Sequence, residues 1–235
     1  MPNVVGMDVT VYPTPADVAS ATADLIAAEV VAGASTIGLA GGTTPKAAYE
    51  LLPGLGLDWS DVTLWLGDER WVPVDHPESN AGTAKSTFAD AVGAELLLPQ
   101  TDLAHPAAAA SAYEAELSAA FGDAHRPGLV LLGMGDDGHT ASLFPGTDAL
   151  ELTRSGYVAN WVPSKDTWRL TATMPLLWSA EHLVFVVTGT TKARVVASIL
   201  DRGRDYPAQR VASGASRVTW LLDEAAAAEA QSIPR

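Results

Sequence analysis

The 235-residue sequence contains no cysteine. Disulfides and thiolate metal sites are thereby excluded, and the composition suits a reducing compartment. Positive charge is also scarce, with 14 Lys and Arg against 28 Asp and Glu and a formal net charge of −14. Nucleic acid and anionic membranes both require a positive face, and no basic run supplies one, so neither is an expected partner. The four lysines are Lys46, Lys85, Lys165 and Lys192. A small anionic ligand therefore fits only if the few cations converge on one pocket. Long apolar runs are missing as well. VVAGASTIGLAGG, at 30–42, is too short and too interrupted by glycine to span a bilayer. The opening MPNVVGMDVTVYP lacks a basic segment followed by an apolar run, so no signal peptide is expected. There is no internal repeat, and no linker is rich enough in Pro, Gly or Ser to divide the chain. The expectation is one cytoplasmic domain over 1–235.

The sequence that remains is 48% apolar and 18% charged, the composition of a compact globular protein. Short apolar runs alternate with helical patterns, which predicts an α/β fold with a Rossmann-like, largely parallel sheet flanked by helices. Strands are expected at 8–12, 35–40, 62–67, 128–134, 157–162, 168–174, 182–189 and 216–223. The pair Thr14-Pro15 starts a helix that runs to Val31 and stops at Gly33. Further helices are expected over 46–52, around 80–92 and 107–121, over 191–200, and in the Ala-rich end of the chain.

Loops with chemical character follow three of the buried strands, and in open α/β sheets the carboxyl ends of strands are where ligands bind. The first is Gly41-Gly42-Thr43-Thr44-Pro45. Glycines at a strand-to-helix turn let backbone N–H groups approach an anion, and the two Thr hydroxyls add donors. The same residues also suit a tight turn with a Thr N-cap. They match neither a Walker loop nor GxGxxG, so no nucleotide is expected. The second is Gly67-Asp68-Glu69-Arg70. It reads either as a solvated turn or as a phosphate fork held by acids, with Asn80 downstream as a helix cap or a substrate contact. The third runs from Gly133 to Pro145 (GMGDDGHTASLFP) and places His139 among glycines and acids. A His at a strand end beside an acid suits a general base, and Asp136, Asp137, Asp68 and Glu69 all compete to support it. At the entry to the strand at 168–174, Lys165 and Arg169 form a fourth patch, either a solvated hairpin approach or a phosphate clamp. His76, His105, His125 and His182 sit at element edges or beside prolines and acids, and none is expected to be catalytic. No HExxH or comparable ligand spacing exists, so neither metal nor cofactor is expected.

Together, AGGTTP, LGDERWVP with the following SN, GMGDDGHTASLFPG, the Lys-x-x-x-Arg-Leu-Thr stretch at 165–171, TGTTKARVVASIL and the closing WLLDEAAA resemble the 6-phosphogluconolactonase family. The resemblance covers nearly the whole chain. It implies a fold shared with glucosamine-6-phosphate deaminases and a phosphorylated sugar lactone as the substrate. It assigns His139 as the catalytic base and Asp137 as the motif's acid. It gives the phosphate to Arg70 and Lys165 with help from 41–44, and Asp68, Asn80 and Arg169 are expected as further substrate contacts. Where the family often has prolines between the Lys and the Arg, this chain has Asp166, Thr167 and Trp168.

The chemistry implied is metal-independent. His139 takes a proton from water as it attacks the C1 carbonyl, and N–H groups of the 133–139 loop hold the oxyanion. Ser142 is a nearby hydroxyl, but it lacks the GxSxG setting of an activated nucleophile. A glucosamine-6-phosphate deaminase is the rival enzyme, yet the deaminases usually carry a further carboxylate after the His and an aromatic where Arg70 stands. A non-catalytic sugar-phosphate sensor is the rival of another class, and it has no need of His139.

Overall fold

In the computed structural model, residues 7–122 and 126–233 are described, apart from the side chain of Arg202. The expectations about the first six residues and about His125 lie outside them. The chain opens with β1 (Met7–Tyr12) and α1 (Pro15–Val31). Thr14 caps α1 through a reciprocal pair of bonds: its hydroxyl accepts from the Asp17 N–H at 3.2 Å, and the Asp17 carboxylate accepts from the Thr14 N–H at 3.0 Å. β2 (Thr36–Leu39) leads to α2 (Thr43–Tyr49). β3 (Thr63–Leu66) passes through Gly67 into β4 (Asp68–Arg70). After a loop, α3 (Asn80–Ala84) continues through a π-helical turn at Lys85–Ala89 into α4 (Asp90–Val92). β5 (Glu95–Leu96), α5 (Pro106–Ala120) and β6 (Leu129–Leu132) follow. Next come β7 (Tyr157–Val162), β8 (Thr167–Ala172), α6 (Met174–Trp178) and β9 (His182–Val187). α7 (Ala193–Arg202), α8 (Pro207–Gly214), β10 (Val218–Asp223) and α9 (Glu224–Ala227) complete the described chain.

Seven strands form a parallel sheet in the order β1-β10-β9-β6-β2-β3-β5. One apolar cluster fills each face of this sheet: Trp220, Phe185 and Leu132 belong to one, and Ile37, Leu64 and Val184 to the other. Burial on both faces explains why β2, β6 and β9 read as unbroken apolar runs rather than alternating ones. From β2 the chain builds outward through β3 and β5, then crosses back to lay down β6, β9 and β10 on the other side. The strand order thus reverses between β2 and β6, and a crevice opens at their carboxyl ends. Among the described residues, no helix is long and apolar enough to cross a membrane.

Several expectations are corrected. Asp68, Glu69 and Arg70 are not a solvated turn; they form β4, an edge strand of a second, antiparallel sheet in the order β4-β8-β7. Three polar residues carry no apolar alternation, so only their partner β8 makes them a strand. α2 begins at Thr43 and ends at Tyr49, earlier than the expected 46–52. The closing helix is confined to Glu224–Ala227, and the eight-residue α8 and two-residue β5 were not anticipated.

Candidate active site

Four loops leave the carboxyl ends of neighbouring strands, in the spatial order β9, β6, β2, β3. They surround a cavity of about 520 Å³ lined by Gly41, Gly42, Thr43, Thr44, Asp68, Arg70, His139, Lys165 and Arg169, together with Ser142, Thr188 and Lys192. Buried tyrosines brace the strand ends. The Tyr49 hydroxyl accepts from the Ala40 N–H at 3.0 Å and donates to the Ala40 carbonyl at 2.9 Å. The Tyr113 hydroxyl accepts from the Leu66 N–H at 2.8 Å and donates to the Leu97 carbonyl at 3.2 Å. The glycine loop is tied across the cavity floor by a 2.7 Å hydrogen bond between the Thr44 and Thr188 hydroxyls. The N-cap of α2 is Gly42 and no side chain caps it, so the expected Thr N-cap does not form.

The β6 loop folds the imidazole of His139 back over its own backbone. A Cβ on Gly135 would lie 2.1 Å from His139 Nδ1, and Gly138, at φ +78°, would place one 2.3 Å from the Tyr206 ring. Only glycine fits at either position. His139 Nδ1 sits 2.5 Å from Asp137 Oδ1, which also accepts from the His139 N–H at 3.1 Å. Of the four competing acids, Asp137 is therefore the one in contact with the ring. Burial pushes the Asp137 carboxyl up, but the hydrogen bonds and charge of His139 outweigh this and hold it at about 2. Phe144 stacks on the imidazole at 3.9 Å, fixing its plane. Gly135 donates its N–H to the His139 carbonyl at 2.8 Å and Gly138 donates to the Gly135 carbonyl at 3.2 Å. With the His139 N–H also engaged, these three donors are not available for an oxyanion.

The second sheet supplies the cations. In the β4–β8 ladder Arg70 faces Arg169, and a 3-10 turn at Pro163–Lys165 brings Lys165 beside them. Arg70 Nη1 donates to the Glu78 carbonyl at 2.6 Å. Arg169 Nε is buried without a partner, and burial together with the neighbouring Arg70 lowers its guanidinium below the ordinary value. Lys192, beyond β9, closes the opposite side. Among the described residues, none of Arg70, Lys165, Arg169 and Lys192 stands within 4.0 Å of a carboxylate oxygen. Four cations without an ion-pair partner in one cavity of a strongly acidic protein mark a site for an anion.

Two anticipated residues stand behind the wall. Asp137 supports His139, and Asn80 is buried beneath Asp68, donating to its carbonyl at 2.9 Å. Ser142 donates to Asp68 Oδ2 at 2.6 Å, so its hydroxyl proton is committed to a carboxylate. Lys192 and Thr188 were missed. The apolar run at 182–187 followed by TGTTK carries the same strand-end signal as the other loops, but the helix expected over 191–200 does not by itself bring Lys192 to the site. Among the described residues, no group of three or more His, Asp or Glu side chains is placed to hold a metal ion.

The fold and the cavity define an open, doubly wound α/β protein with a cationic ligand site at its switch point. Comparison with known proteins narrows that class. The profile of the glucosamine-6-phosphate isomerases/6-phosphogluconolactonase family matches residues 13–220, and the chain belongs to this family. The 6-phosphogluconolactonase of Synechocystis sp. is 42% identical over 205 residues, covering 83% of this chain and 84% of that protein. The crystal structure of 6-phosphogluconolactonase from Leishmania guyanensis superimposes with a TM-score of 0.85 at 25% identity, covering 97% of this chain and 99% of that one. A monomeric glucosamine-6-phosphate deaminase shares the fold with a TM-score of 0.80 at 23% identity, covering 95% and 100%.

Proposed function

We propose that this chain is a 6-phosphogluconolactonase, hydrolysing 6-phospho-D-glucono-1,5-lactone to 6-phospho-D-gluconate in the oxidative pentose phosphate pathway. The observation that carries the proposal is the meeting, in one cavity, of four cations without an ion-pair partner and an imidazole held by a carboxylate. The cations and the glycine loop take the phosphate and set the ring at a distance from it. Asp137 accepts a hydrogen bond from Nδ1–H, which leaves Nε2 as the basic nitrogen. That nitrogen takes a proton from water as its oxygen bonds to C1. Collapse of the tetrahedral species breaks the bond from C1 to the ring oxygen, and the imidazolium returns the proton to that oxygen. With the Gly135, Gly138 and His139 N–H groups engaged, the developing oxyanion falls to the remaining N–H groups of the β6 loop. General base action of this kind contributes about 10² to 10⁴-fold. No cofactor enters any step.

The test is proton release from freshly generated 6-phosphoglucono-δ-lactone, measured against the spontaneous rate. Wild type should accelerate it strongly, and His139→Ala should fall nearly to background. Absence of wild-type acceleration would refute the lactonase, and ammonia release from glucosamine 6-phosphate would then be the assay for the rival activity.

A further inference from the structure

Glu69 sits between the residues that line the cavity and is not one of them. Alternation along β4 places Asp68 and Arg70 on the cavity side and Glu69 on the other, where it is 1% exposed. A carboxylate at that depth is costly unless every oxygen is satisfied. Glu69 Oε1 accepts from the Arg70 N–H at 2.7 Å and from the Asn80 N–H at 2.8 Å. Oε2 accepts from the Ala81 N–H at 2.7 Å and from the Ser79 hydroxyl at 3.0 Å. One side chain thus clamps β4 to the start of α3 and closes the intervening loop.

What is clamped belongs to the cavity wall. Arg70 is gripped at its own backbone while its guanidinium holds the Glu78 carbonyl, one residue before the clamped segment. Asn80 carries Asp68, and its amide presses against the glycine loop, where a Cβ on Gly41 would lie 1.9 Å from Asn80 Oδ1. A shift of the α3 start relative to β4 therefore moves Arg70, Asp68 and the 41–44 loop together.

We propose that Glu69 is a positioning residue for phosphate binding, fixing Arg70 and Asn80 against the cavity without touching the substrate. This rests on the lactonase assignment above and on the role given there to Arg70. Glu69→Gln keeps the shape but replaces one acceptor oxygen with an NH₂ donor. The Ser79 hydroxyl can rotate to accept, and the Ala81 N–H is then left facing a donor. Losing a hydrogen bond to a charged group corresponds to about ten- to hundredfold.

The experiment is a four-variant cycle of wild type, Glu69→Gln, Arg70→Ala and the double change, with kcat and KM for the phosphorylated lactone. Glu69→Gln should raise KM about tenfold with kcat little changed, and should raise it by only about threefold once Arg70 is already Ala, the share still carried through Asn80 to the 41–44 loop. Equal losses in both backgrounds, or no loss in either, would overturn the proposal. Should Glu69→Gln lose its native circular dichroism, Ser79→Ala takes its place. It removes one of the four bonds together with the α3 cap bond from the Gly82 N–H, so a rise in KM of about threefold that depends on Arg70 is expected beside a loss of stability that does not. Were wild type to lack lactonase activity, the functional assignment would fail by itself. The same cycle read by binding of inorganic phosphate would then decide the positioning role.

Discussion

Asp137→Asn isolates the charge behind the imidazole with little change in shape. The side chain is 43% exposed, so bulk water already screens part of its interaction with the ring. An asparagine oxygen can still accept from Nδ1, so tautomer and orientation survive in part. What is lost is the charge that stabilises the imidazolium formed as water is deprotonated. A hydrogen bond to a charged group contributes about 1.5–3 kcal/mol, and exposure places this one at the lower end. At 1.4 kcal/mol per tenfold, kcat should fall about 10- to 30-fold. KM should stay unchanged, because Asp137 does not line the cavity. The assay is stopped-flow proton release from fresh lactone, corrected for spontaneous hydrolysis. A double variant adds the decisive control. With His139→Ala in place, Asp137→Asn should cost less than about twofold more, since its two bonds both end on His139. Additive losses would refute the pairing and assign Asp137 a role independent of the imidazole.

Lys192→Ala should raise KM for the phosphorylated lactone about tenfold or more and leave kcat within a few-fold, because it removes ground-state attraction for the phosphate. Steady-state kinetics at low and high salt checks this, and an effect confined to kcat would contradict the assignment. Gly138→Ala should destabilise the fold by roughly 1–3 kcal/mol, since φ of +78° and the Tyr206 ring both exclude a Cβ; chemical denaturation measures it. His182 gives a pH prediction. Its Nδ1 lies 2.8 Å from Glu29 and its Nε2 2.9 Å from the Thr219 hydroxyl. Burial and the nearby Arg217 lower its pKa, although Glu29 pulls the other way. Burial prevails because Glu29 already shares its charge with Arg217 at 3.2 Å and a protonated Nε2 could no longer accept from Thr219. The folded state thus resists protonation, so this contribution is fully present above about pH 6.5, the ordinary histidine value, and declines below it. Urea melts at pH 7.5 and 5.5 should show that loss in wild type and a smaller one in His182→Gln.

The sequence alone determined the parallel sheet, because strands buried on both faces must be unbroken apolar runs and the helices between them must carry caps and breakers. It also pointed to three of the loops and to His139, since glycines around a His at a strand end have few structural uses. Which of four neighbouring acids meets the imidazole was not readable, because spacing along the chain does not say which way a loop folds. Asp137 wins only through the close approach that Gly135 permits. β4 was invisible for a related reason: Asp68, Glu69 and Arg70 become a strand only by pairing with β8, almost a hundred residues later, and that pairing sets Arg70 opposite Arg169. Convergence itself was a tertiary decision. Lys192 and Arg70 stand 122 residues apart in the sequence, and only the strand order β9-β6-β2-β3 carries them to the same cavity. Local pattern encodes what each segment is, whereas packing between distant segments decides which of their side chains meet.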